Sequence, residues 1–170
     1  MLAVRVVLGV ATSLLVLLPG SGKAAVCNGG LIGGLFAGTP GITANAIVFG
    51  PYYGSTGTAV TAVNTITVTC VGALLPIGPT LPAFTIALSM GNAASYGPRT
   101  MTGTTTPLSY NIYTTAALTN VWGNGTGSTL QSGGNAGAST QSFTGFGAIP
   151  AHQFVKAGSY SDMITVTVTY

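Results

Sequence analysis

The sequence predicts an all-β fold, a sandwich or barrel of six or seven short strands, and three observations carry that expectation. From Ile164 to Tyr170, the residues Ile164, Val166, Val168 and Tyr170 alternate with Thr165, Thr167 and Thr169, a two-residue period that fits a half-buried strand and no helix. The same alternation recurs from Asn64 to Cys70 and from Ala83 to Met90. Between such runs, 26 glycines and 9 prolines punctuate the chain at the short intervals expected of sandwiches and barrels. Burying the four apolar side chains of the last strand would contribute roughly 6 to 12 kcal/mol, at about 1.5 to 3 each, so it belongs to the interior of a sheet. No later strand in this sequence can pair with its second edge, so the neighbour there is an earlier strand or another protein.

The first two dozen residues read as a secretory leader rather than as part of the fold. Arg5 gives a basic start, Val6 to Leu18 is an apolar run short for a bilayer span, and small residues close the segment, most simply cut between Ala24 and Ala25. An uncleaved membrane anchor is the alternative, and Val26 is too large for a lipid-attachment signal at Cys27. Removing 24 of the 170 residues leaves 146, enough for one domain with a core, spanning residues 25–170. Arg5 and Lys23 leave with the leader, so Arg99 and Lys156 against Asp162 give a net charge of +1. Two separated cations make no basic surface for nucleic acid, and no stable membrane insertion is expected after cleavage. The exported chain keeps Cys27 and Cys70, which in an oxidising compartment most simply form one disulfide. They close a loop of about 44 residues, worth about 4 kcal/mol in chain entropy. Two cysteines without nearby His or carboxylates supply too few ligands for a metal.

Taken in order, Asn28 to Asn45 is glycine-rich, with Leu31, Ile32, Leu35 and Phe36 scattered through it, and reads as irregular or as a short broken strand. Ala46 to Gly50 is a short strand closed by Pro51, and Tyr52 to Thr58 is a turn-rich connection. Asn64 to Cys70 places Ile66, Val68 and Cys70 on one face. Pro76, Pro79 and Pro82 exclude Val71 to Pro82 from any interior strand. Ala83 to Met90 points Phe84, Ile86, Leu88 and Met90 inward, and a polar connection holding Arg99 and Met101 leads to a strand from Pro107 to Tyr113. Asn120 to Thr140, rich in Gly, Ser, Asn and Thr around Trp122, reads as a long surface excursion. Phe143 to Ile149 is a short strand, and Ala157 to Tyr160 turns into the last one. No repeat and no second domain boundary is visible.

Catalytic chemistry is sparse: the exported chain offers one His, one Asp, no Glu and no spare Cys. A carboxylate pair is impossible with one carboxylate. A serine triad with His152 and Asp162 can be written, but no serine sits in a nucleophile-elbow context, and Asp162 at the start of the last strand has a structural hydrogen bond as its ordinary role. The glycine-rich segments join no strand to a helix, so phosphate binding is unsupported. No catalytic residue, metal or cofactor is expected. Asn124-Gly125-Thr126 matches a glycosylation sequon, of little weight beside a bacterial type of leader. Tyr52, Tyr53, Tyr96 and Trp122 lie in turns and loops, where they either cover the ends of the fold or form a carbohydrate-binding face.

These positions resemble the spore coat protein U domain family, which includes subunits of archaic chaperone-usher pili. The matching pieces are Cys27; Phe49, Gly50 and Tyr52; the strand ending at Cys70; I-A-L-S-M-G from Ile86 to Gly91; and Arg99-Thr100-Met101. L-S-Y-N-I-Y from Leu108 to Tyr113, the W-G-N-G-T run from Trp122, F-G-A-I-P-A from Phe146 to Ala151, and G-S-Y-S-D with the terminal strand complete the set. The resemblance implies an incomplete immunoglobulin-like β-sandwich lacking its last strand, completed by a donor strand from another chain. It further implies a groove flanking Ile164, Val166, Val168 and Tyr170, a periplasmic chaperone, an outer-membrane usher and other fibre or coat subunits as partners, with the terminal carboxylate a chaperone anchor. Only Ala25 and Val26 would precede Cys27 after cleavage, where pilins of this type carry a donor segment, so poor self-polymerisation is expected. The function so implied is a non-enzymatic surface fibre or coat subunit acting in adhesion or biofilm formation, exported through the periplasm. A secreted carbohydrate-binding β-sandwich module is the alternative.

Overall fold

The computed structural model describes residues 3–10, 39–71, 81–103, 106–135 and 139–170. Among these the chain forms ten strands and no helix: β1 (Ala3–Val10), β2 (Thr39–Ala44), β3 (Ile47–Pro51), β4 (Val60–Val71), β5 (Leu81–Leu88), β6 (Arg99–Met101), β7 (Leu108–Tyr113), β8 (Gln131–Asn135), β9 (Thr140–Ile149) and β10 (Ser159–Thr169). They make two five-stranded sheets, ordered β3-β1-β10-β5-β8 and β2-β4-β9-β7-β6. The result is an all-β, two-sheet sandwich of the immunoglobulin-like kind.

The second sheet is built on the longest ladder, β4 against β9, with ten antiparallel partners from Val60↔Ile149 to Thr69↔Thr140. The alternation expected from Asn64 to Cys70 extends along it, with Ile66, Val68 and Cys70 buried. β9 is longer than the expected Phe143–Ile149 because Thr140, Gln141 and Ser142 continue the β4 ladder on polar side chains, leaving no apolar signal. In the first sheet, Phe84, Ile86 and Leu88 of β5 face the core as their period requires, whereas Met90 lies past the strand and is only partly buried. β5 is an interior strand that contains Pro82. Its ladder with β8 shifts register between Leu81 and Phe84, and a bulge is where an interior strand tolerates a residue without an amide proton.

The interval from Asn120 to Thr140 is not a surface excursion. Trp122 is completely buried, its Nε1–H donates to the carbonyl of Ile86 at 3.0 Å, and Gln131–Asn135 adds an edge strand to β5. The single indole is thus a core residue inside a polar, glycine-rich stretch, because its N–H finds a backbone acceptor once the sheets close. Two short strands, β2 and β6, lie within intervals that read as irregular or polar; each gains regularity only from its neighbour, β4 or β7.

Candidate functional site

The first sheet has a place where one strand separates two others that lie far apart in sequence. β1 lies parallel to β10, with Ala3 to Val10 registered on Ser159 to Val166, and antiparallel to β3, with Ala3, Val4, Arg5 and Val6 registered on Pro51, Gly50, Val48 and Ile47. β1 belongs to the segment that reads as a leader. Cleavage after Ala24, as the sequence reading expects, would remove the strand that fills this place and leave β10 and β3 with facing unpaired edges. The opposite edge of β10 stays paired: Val166 to Thr169 bind β5, and Ser161 exchanges both backbone hydrogen bonds with Thr102 at 2.9 and 3.0 Å.

The walls of this seat follow the two-residue period. On β10 the buried face is Tyr160, Asp162, Ile164, Val166 and Val168, and on β3 it is Ile47 and Phe49. Val4, Val6, Leu8 and Val10 stand in register with Tyr160, Asp162, Ile164 and Val166. Phe49 packs edge-on against Tyr110 of the other sheet, centroids 6.1 Å apart. Beneath it, a Cβ on Gly147 would come within 2.7 Å of the Phe49 ring, so β9 needs glycine there for β3 to close over the core.

A buried polar cluster fixes the start of β10. Asp162, 3 % exposed, accepts from the Tyr110 hydroxyl at 2.7 Å, from the Asn92 amide at 2.9 Å and from the Met163 amide at 2.8 Å. Tyr110 thereby ties β7 of one sheet to β10 of the other, and burial followed by the bond to the Asp162 carboxylate pushes its phenol far up. Arg99 is wholly buried, with its Nε and Nη2 donating to the Ser89 carbonyl at 2.9 and 2.8 Å, Nη2 to the Trp122 carbonyl at 2.7 Å, and Nη1 to Asn111 Oδ1 at 2.7 Å. Its guanidinium also lies over the Tyr96 ring, 5.0 Å from the centroid. Burial pushes the Arg99 pKa down, opposed by the electrostatic influence of Tyr110, Tyr96 and Asp162.

Of the residues expected along the groove, Ile164, Val166 and Val168 are buried in the core. Tyr170 lies just beyond the strand, 37 % exposed, with its ring 5.9 Å from that of Phe84; partial burial raises its phenol pKa. Cys70 is buried, and there is no free cysteine among the described residues; Cys27 lies outside them. Asp162 finds its partners in Tyr110 and two amides rather than in His152, which sits exposed in a left-handed bend, so the pair forms no catalytic dyad. Among the described residues no three His, Cys, Asp or Glu side chains come together as metal ligands.

The loop aromatics divide. Trp122 and Tyr52 are buried with their polar ends bonded, the Tyr52 hydroxyl donating to the Pro150 carbonyl at 2.9 Å and accepting from the Gln153 amide at 2.8 Å. Neither offers a ring face to a sugar, which removes the anchor of the carbohydrate-binding reading. Tyr53 is half exposed, and with Phe154 it borders a shallow cavity of about 460 Å³. Sequence reasoning missed Arg99 as a core residue; its only signal was its being one of four cations in a chain poor in charge.

These elements define an all-β, two-sheet immunoglobulin-like sandwich in which β10 lies between β1 and β5. Residues 38–167 match the spore coat protein U domain, and the chain belongs to that family. Comparison with curated proteins gives no match. Among solved structures, the chain is similar to the CsuC–CsuE chaperone–tip adhesion subunit pre-assembly complex from the archaic chaperone-usher Csu pili of Acinetobacter baumannii, at 20 % identity and a TM-score of 0.47. The match covers 78 % of this chain and 40 % of the other, so the chain spans well under half of that relative's length. No helix of the described residues is long and apolar enough to cross a membrane.

Proposed function

We propose that this protein is a non-enzymatic structural subunit of a bacterial surface fibre or spore-type coat, exported through the periplasm and completed by a β-strand from a second polypeptide. A periplasmic chaperone supplies that strand first, an outer-membrane usher receives the complex, and a neighbouring subunit then takes the chaperone's place, in the service of adhesion or biofilm formation. The single observation that supports the reading is the position of β1: a strand in parallel register with Ser159 to Val166, wedged between β10 and β3, and drawn from a segment that export would cut away. Family membership supports the same reading.

The test is to prepare residues 25–170 alone and follow emission from Trp122, the one tryptophan. The shortened chain is expected to aggregate or leave its indole exposed until a strand donor is added, and then to bury it. A stable monomer with the Ser159–Val166 amides protected from exchange, and no donor present, overturns the proposal.

A further inference from the structure

The outward face of β10 reads Ser159, Ser161, Met163, Thr165, Thr167 and Thr169, a small polar series broken once. Met163 is 67 % exposed, and across the seat on β3 the outward Val48 is 59 % exposed. Both register on β1: Met163 opposite Val7, and Val48 opposite Arg5. Val63, elsewhere on the molecule, is also exposed, but it has Phe146 as a permanent cross-strand partner on β9. Met163 and Val48 have no such partner once β1 leaves, because the strand registered on both is β1 itself.

Resting on the strand-acceptor reading above, we infer that the seat selects its occupant on the outer as well as the inner face: the natural partner strand runs parallel to β10 and carries apolar side chains at the two outer positions registered with Val48 and Met163. Directly opposed side chains on one face of a sheet are the contacts that stabilise strand pairing. A strand alternating apolar with serine or threonine fills only the inner half of the site. The segment Ala3–Val10 places Arg5 and Val7 at the two outer positions, matching one of them. A partner apolar at both is favoured over it.

The experiment uses the full chain with Val6→Asp and Leu8→Asp, which retains the leader but places charges at inner register positions. It is refolded with its disulfide intact while Trp122 emission is followed against added peptide. Two synthetic eight-residue peptides, lysine-flanked for solubility, keep Val, Val, Leu and Val at the inner positions; one has Val and the other Ser at both outer positions opposite Val48 and Met163. The expected result is half-maximal rescue at about tenfold lower concentration of the apolar-outer peptide, the size of two good cross-strand pairs. Adding Val48→Thr and Met163→Thr to the chain is expected to bring the two peptides within about twofold of each other by removing those pairs. Rescue by both peptides at equal concentration overturns the outer-face inference and leaves strand acceptance standing. Rescue by neither, or burial of Trp122 with no peptide present, overturns strand acceptance and this inference with it.

Discussion

Arg99 shows what a single side chain can hold in a chain with so few charges. Its planar fork satisfies the carbonyls of Ser89 and Trp122 and the amide oxygen of Asn111 at once. Lysine keeps the charge but lacks that geometry. Arg99→Ala strands these acceptors in the interior, and each unsatisfied buried acceptor costs about 1 to 3 kcal/mol, so urea denaturation is expected to show a loss of roughly 3 kcal/mol or more. Arg99→Lys is expected to recover only part of it. Tyr110 gives a second test, through pH. Its folded pKa is raised above the ordinary value of about 10, so the folded protein holds a proton that the unfolded chain gives up. That contribution is intact below about pH 10 and is lost as pH rises further, at up to about 1.4 kcal/mol per pH unit. Tyr110→Phe is expected to flatten this alkaline slope, while lowering stability at neutral pH by the lost bond to Asp162. A third residue, Gly91, has φ +66, and a Cβ there would come within 2.1 Å of Asp162 Oδ2. The carboxylate is pinned by three hydrogen bonds and cannot yield cheaply, so Gly91→Ala is expected to lower the unfolding free energy measured in urea by more than the roughly 1 kcal/mol of backbone strain alone.

At the scale of the element, the proposed strand acceptance turns on β10 and β1. β10 was legible from its alternation, since a strand buried on one face needs only period and composition to be recognised. β1 read instead as a leader, because an apolar run of valines near a basic residue satisfies the requirements of export and of strand pairing alike. In the folded chain Ala3–Val10 lies between β10 and β3. Hydrogen exchange on the full chain tests this directly: the amides of Ser159 to Val166 are expected to be protected, and Val6→Asp with Leu8→Asp to increase their exchange selectively, while the β4–β9 ladder remains protected. Uniform loss across both sheets would instead mean that β1 is part of the global core. β2, β6 and β8 were the elements least visible in the sequence. Each is short, and β6 and β8 carry polar residues or glycine where a propensity argument looks for β-branched side chains.

For the molecule as a whole, stability rests on packing between two sheets. The proposed Cys27–Cys70 disulfide closes a loop of about 44 residues, and replacing both cysteines by serine is expected to cost about 4 kcal/mol. A midpoint unchanged by the double substitution would refute the pairing as a source of stability. The sequence by itself determined the all-β class, the inward faces of β4, β5 and β10, and the scarcity of catalytic groups, because these follow from period and residue type within a few neighbouring positions. Only the tertiary structure decided that Trp122, Arg99 and Asp162 are interior, that Pro82 lies at a bulge in a central strand, and that the Ala3–Val10 segment takes the place between β10 and β3. Those facts depend on which distant residue supplies a hydrogen-bond partner or an unpaired edge, and that is fixed only when the two sheets meet.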